Sequence, residues 1–260
     1  MKPGFALVKN VQRFSAMADA LINRPPLHPG IGVGWGPTGY GKSTVIAWWA
    51  NEFDAVHTTL EELSTPSSLL DSLCKELGVR RRASLVATMA LIIERLSQGD
   101  RPRPIVVDEA DYLLGRKKMP LLNVLRGIHD KSQSPLILIG MHDFVSGLIS
   151  QRDQAQFVGR IGEWLKFEPI DMDDLREIVR LRSEVEIAED LMARLHQESG
   201  GSARRAVIAI SQVEKFAKLH GHRRVSADMA KKLVLRLDAR SDIAARLGIA
   251  AALENRGVVS

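Results

Sequence analysis

The chain has 260 residues, 45% hydrophobic and 26% charged, the balance of an ordinary globular protein with room for one large domain or a large and a small one. Its single cysteine, Cys74, excludes an internal disulfide and a structural thiolate zinc site. No apolar run approaches a membrane span or a signal-peptide core, which predicts a cytoplasmic protein without membrane partners, and the formal charge of +5 is a modest pointer to a polyanionic partner.

In chain order, Val8 to Asn23 has helical apolar spacing and stops at the breaker NRPPLHPG. Five short apolar runs then predict buried strands at Ile31–Trp35, Ala55–Leu60, Pro104–Val107, Pro135–Gly140 and Leu165–Ile170. Helix-length segments lie between them at Lys42–Phe53, Ser67–Leu77, Ser84–Gln98, Pro120–Lys131 and Phe144–Ser150. Strands alternating with helices imply an α/β fold with a parallel sheet covered on both faces. After Pro169 the pattern predicts four amphipathic helices and no strand: Asp173–Arg182, Ala188–Ser199, Ala203–His220 and Ser226–Leu237. The expected division is an α/β core over 1–170, a helical unit over 171–237, and a helix with a loose end over 238–260.

Residues 36–44 read GPTGYGKST, between the first strand and the first helix that follows it. Gly36, Gly41, Lys42 and Ser43 meet the phosphate-loop pattern in its required context. The glycines let the backbone of Gly36, Pro37, Thr38, Gly39, Tyr40, Gly41, Lys42, Ser43 and Thr44 curl around a phosphate, and the helix start adds its dipole. Lys42 is expected to reach the β- and γ-phosphates of ATP, and the Ser43 hydroxyl to ligate Mg²⁺. A nested Gly34-x-Gly36-x-x-Gly39 fits the dinucleotide fingerprint, but such a site has no use for the Lys42–Ser43 pair.

PIVVDEAD (Pro104–Asp111) puts two acids at the end of an apolar strand. Asp108 is expected to hold Mg²⁺ through water and Glu109 to polarise the attacking water, a pairing that favours hydrolysis over transfer. The letters DEAD are those of the RNA-helicase box, yet the chain has room for one motor domain, not two, and lacks the companion motifs.

GPTGYGKS, IVVDEAD, LILIG, the arginine of FVGRIGEW and GGSARR, followed by helices, resemble an AAA+ ATPase of the initiator-related group over roughly Val8 to Leu237. Within that group, the compact size and the LILIGMHD stretch are similar to the transposition regulators (phage Mu B protein, TnsC, TniB), and the motif style is also similar to the secretion ATPase ExeA. The resemblance implies a five-stranded parallel sheet of order 5-1-4-3-2 with a helical lid. It also implies ATP binding, assembly as a homo-oligomeric filament or ring on duplex DNA, and recruitment of a transposase or integrase. By the same resemblance Arg160, with Arg152 as a weaker claimant, points into the neighbouring subunit's site, and Arg204, with Arg205 behind it, swings over the nucleotide. The usual polar sensor after the fourth strand is replaced by Met141, with His142 and Asp143 as substitutes, so hydrolysis is expected to be slow.

Three basic clusters compete for DNA: Arg80, Arg81 and Arg82; Arg116, Lys117 and Lys118; and the HGHRR stretch at His220–Arg224. The first ranks highest because the family's duplex-tracking residues lie between the second and third strands; Thr65 and Ser67 at a helix start could add backbone contacts. No aromatics interleave these clusters, so contacts are expected to phosphate, independent of sequence and sensitive to salt. Trp48, Trp49 and Cys74 are expected to be structural, at least one tryptophan packing on the sheet. No separate DNA-binding domain is expected before Val8. Three functions remain open: delivery of target DNA to a transposase, which leads; helicase loading or replication initiation; and an ExeA-like role without nucleic acid.

Overall fold

The computed structural model describes residues 1–2, 4–114, 119–150 and 155–237. Arg152, the Arg116–Lys118 cluster and the tail helix expected within 238–260 lie outside the described residues. The chain forms two compact units: Asn10–Glu168, and Met1–Lys9 together with the chain from Pro169 onward.

The first unit opens with α1 (Lys9–Ile22), then β1 (Ile31–Trp35), α2 (Lys42–Glu52), β2 (Val56–Thr59), α3 (Pro66–Glu76), α4 (Leu85–Leu96) and β3 (Ile105–Asp108). A 3₁₀ turn (Ala110–Leu113) leads to α5 (Met119–Ser132), β4 (Leu136–Gly140), α6 (His142–Ser150), α7 (Ala155–Val158) and β5 (Ile161–Lys166). The five strands are parallel in the order β2-β3-β4-β1-β5, as the resemblance implied. Every residue of β3 and β4 is buried, which is why both read as unbroken apolar runs.

The fifth strand is the correction. It begins at Ile161 rather than Leu165 and ends at Lys166 rather than Ile170. As the sheet's edge, β5 is covered only in part, and its residues alternate between exposed and half-buried before Leu165, so IGEWLK carries no continuous apolar signal. The shift puts Arg160 directly before the strand.

One aromatic cluster fixes α1 against α2. Trp49 is fully buried, meets Phe14 edge-on at 5.5 Å between ring centroids, and stacks on Phe53 at 5.0 Å. Phe14 in turn lies 6.4 Å from Phe167, just beyond β5. Trp48 is half-buried against Phe53, and Cys74 is buried in α3.

The second unit contains α8 (Met172–Arg182), β6 (Glu186–Ile187), α9 (Glu189–Ser199), α10 (Ala203–His220) and β7 (Arg224–Val225). Residues 1–9 group here rather than with the core, the Lys2 N–H donating to the Arg182 carbonyl at 2.8 Å. Two further expectations fail in this unit. The two-residue strands β6 and β7 pair in parallel, and Ser226–Leu237 forms turns and extended chain instead of a helix. Side chains take the backbone groups a helix would have used: the Arg194 guanidinium donates to the Ala230 and Leu233 carbonyls at 2.9 and 2.8 Å, and Gln212 bonds both the N–H and the carbonyl of Arg236. No helix among the described residues is long and apolar enough to cross a membrane.

Trp49→Ala removes the centre of the aromatic cluster and is expected to cost about 3–5 kcal/mol of stability. Urea unfolding followed by circular dichroism checks this; a loss below about 1 kcal/mol would mean that the cluster does not hold α1 to α2.

Candidate functional site

The loop after β1 is bent by its glycines. A Cβ on Gly36 would sit 2.8 Å from the Phe167 Cβ and 3.0 Å from the Phe167 carbonyl oxygen, so no side chain fits there. Gly39 and Gly41 have φ of 89° and 87°, the left-handed region that glycine enters without steric cost. Gly41 is the N-cap of α2 and contributes no side-chain cap, whereas Thr65, Ser84, Asp171 and Ser202 cap α3, α4, α8 and α10. The first turn of α2 carries Lys42 and the exposed Ser43 and Thr44, and no side chain at the N-cap closes it. The Lys42 ammonium lies over the loop, donating to the carbonyls of Gly36 at 2.6 Å and Pro37 at 3.1 Å. Pro37 and Thr38 are exposed, and Tyr40 is half-buried.

Asp108 ends β3, buried, with its Oδ1 accepting the Glu109 N–H at 2.9 Å. Glu109 takes the left-handed conformation (φ 53°, ψ 43°), uncommon for a residue with a side chain, and its carboxylate is turned out of the strand line and exposed. Its carboxyl is held above the ordinary range, first by desolvation and then by the charges of Asp108 and Asp111, while the Lys42 ammonium acts in the opposite sense. The phosphate-loop lysine thus bears on the acid after β3.

Asp111 has a role that sequence reasoning passed over. Both its carboxylate oxygens accept the Met141 N–H, at 2.9 and 3.2 Å. A Cβ on Gly140 would lie 2.8 Å from the Asp111 Oδ2, so glycine makes the space for that carboxylate. Met141 is exposed rather than core, and its Sδ accepts the Thr38 hydroxyl at 3.6 Å. A contact chain therefore runs from the phosphate loop through Met141 to the turn after β3. The signal present in the sequence was the pairing of a third acid in DEAD with a glycine before the sensor position. His142 bonds Ser146 at 3.3 Å, and Asp143 is exposed.

The other expected residues have surroundings of their own. Arg160 is half-exposed, with its Nε 3.3 Å from Asp130 and its Nη1 donating to the Gln156 carbonyl at 3.0 Å. Arg204 and Arg205 are exposed on the first turn of α10, in the second unit. Arg81 is bidentate on Asp71, both contacts at 2.9 Å, while the exposed Arg80 and Arg82 form no ion pair with a described residue. Thr65 caps α3 in a capping box with Ser68.

Residues 27–148 match the model of a family described as an AAA domain. No curated protein sequence matches the chain. Several solved structures are similar to it. The ORC2 protein of Aeropyrum pernix, in ADPNP and ADP complexes, is 19% identical with a TM-score of 0.64, over 92% of this chain and 71% of that one. The ORC1 protein of Aeropyrum pernix, in complex with DNA, is 20% identical with a TM-score of 0.59, over 90% of this chain and 64% of that one. The RuvB Holliday junction branch migration motor of Thermotoga maritima is 22% identical with a TM-score of 0.56, over 86% and 67% respectively. At these identities the likeness is one of fold.

A carboxyl must be ionised to take a proton from water, so a Glu109 held high loses that ability at a higher pH than an ordinary glutamate as the solution is acidified. Asp111→Asn removes one of the raising charges. The acid limb of an ATP-hydrolysis profile is expected to move to lower pH in this variant; a limb that stays in place or moves up would contradict the charge arrangement.

Proposed function

We propose that the chain is an ATP-binding and ATP-hydrolysing AAA+ protein whose nucleotide-joined oligomer holds duplex DNA and delivers it to a transposase. The observation that supports the nucleotide site is geometric: a loop bent at Gly39 and Gly41, with the Lys42 ammonium folded over the Gly36 and Pro37 carbonyls, on the sheet where the buried Asp108 ends β3. When bound, ATP with Mg²⁺ supplies the reactive phosphoanhydride and the cation that screens it. The uncapped first turn of α2 and the loop N–H groups bind phosphate oxygens, and Lys42 neutralises their charge. The Ser43 hydroxyl and Asp108 hold the cation, Glu109 takes the proton of the attacking water, and Asp111 fixes the Met141 backbone beside the loop.

Arg160 serves the site of a neighbouring copy. Its pairing with Asp130 is half-exposed, a class of interaction worth about 0–1 kcal/mol, so it yields readily to a charge-assisted bond with phosphate. Arg204 senses the nucleotide from the second unit. Arg80 and Arg82 contact the DNA backbone, with Arg81, Lys117 and Lys118 as further candidates. A second reading, helicase loading or replication initiation, is favoured by one observation: the similar structures include ORC proteins, one of them in complex with DNA.

Lys42→Ala is expected to abolish ATP binding and ATP-dependent assembly, seen by nucleotide titration and electron microscopy; normal assemblies from this variant would refute the site. Glu109→Gln is expected to bind ATP and to lengthen the lifetime of DNA complexes, and failure to bind DNA at all would count against a hydrolysis-driven release. Replacing Arg80 and Arg82 by alanine should reduce the slope of log affinity against log salt by about 2 on a linear scale of roughly 0.9 per phosphate contact. An unchanged slope would place the DNA contacts elsewhere. To separate the two partner readings, DNA carrying the protein is offered to a transposase and to a replicative helicase: stimulated strand transfer supports the first, and loading of the helicase the second.

A further inference from the structure

Asn10 is buried at the second position of α1 and belongs to no motif. Its side-chain amide is fully engaged with backbone. The Nδ2 donates to the Glu168 carbonyl at 2.7 Å and to the Tyr40 carbonyl at 3.4 Å, and the Oδ1 accepts the Glu168 N–H at 3.1 Å. Asn10 and Glu168 are the first and last residues of the core unit, so the amide ties together the places where the chain enters and leaves it. Its third bond goes to the phosphate loop.

We propose that Asn10 is a positioning residue that sets the orientation of the Tyr40–Gly41 peptide in the phosphate loop, a proposal that rests on the nucleotide-site reading above. A trans peptide is planar, with its C=O and N–H on opposite sides. Drawing the Tyr40 carbonyl toward Asn10 therefore turns the Gly41 N–H to the side away from Asn10. That peptide leads into Gly41, a left-handed glycine whose wide conformational range offers little resistance to a flip. A side chain on another element, Asn10 of α1, bonds to this peptide. Any residue without an amide at position 10 leaves the plane free and also strips the Glu168 backbone of its partner. The demand is narrow: only asparagine offers both a donor and an acceptor at this reach from the helix.

The test uses the full chain with Asn10→Ala, checked for folding by circular dichroism. The dissociation constants of ATP and ADP with Mg²⁺ are expected to rise about tenfold, the scale of losing one directed hydrogen bond. Hydrogen exchange in the segment 37–48 of the nucleotide-free protein is expected to quicken while the rest of the core is unchanged. A merely structural role would leave the folded fraction with wild-type affinity, and that result overturns the proposal, as does exchange that quickens uniformly over the core. Should Asn10→Ala not fold, Asn10→Ser, which lacks the reach to Tyr40, is read in the same two ways. Selective quickening in 37–48 beside a wild-type chain that binds no ATP would support the clamp and remove the nucleotide reading instead.

Discussion

The organising constraint is the concentration of polar groups at the carboxyl ends of β1, β3 and β4. A bent loop, a lysine folded over it and three acids beyond it are brought together on a sheet whose strands β3 and β4 are buried throughout. Burial first, and then the like charges of Asp108 and Asp111, hold the Glu109 carboxyl above its ordinary range there. Such an arrangement costs stability in the isolated chain and gains meaning only beside a ligand that brings both anionic and cationic charge.

The rest of the core unit serves that end by restricting the loop. Phe167 closes off any side chain at Gly36, Asn10 holds the Tyr40 carbonyl, and Asp111 holds the Met141 amide against the same region. These restraints come from three different parts of the chain: the first helix, the segment after β5 and the turn after β3. A loop assembled in this way is set before any phosphate arrives, which lowers the ordering cost of binding.

Much of this was legible in the sequence, for physical reasons. The phosphate loop declares itself because every residue in it answers a local demand of backbone curvature or charge, and β3 and β4 because strands buried on both faces need unbroken apolar runs. The edge strand β5 was read four residues late because the exposed Gly162 and the half-buried Glu163 blur the pattern. Ser226–Leu237 has helical spacing, yet Arg194 and Gln212 capture its backbone from other helices. Asn10 and Asp111 were invisible for a related reason. Each acts through a side-chain bond to backbone far along the chain, and nothing in local composition announces such a bond. Met141, judged from its type, could be taken for core; its exposure and its contact with Thr38 place it at the site instead.

Whether these groups act as one nucleotide site is open to a direct measurement: calorimetric titration of the nucleotide-free chain with a non-hydrolysable ATP analogue, with Mg²⁺ present and then chelated. The account predicts a saturable isotherm of one nucleotide per chain that weakens markedly when the cation is withdrawn. An isotherm with no saturable heat under either condition would contradict it.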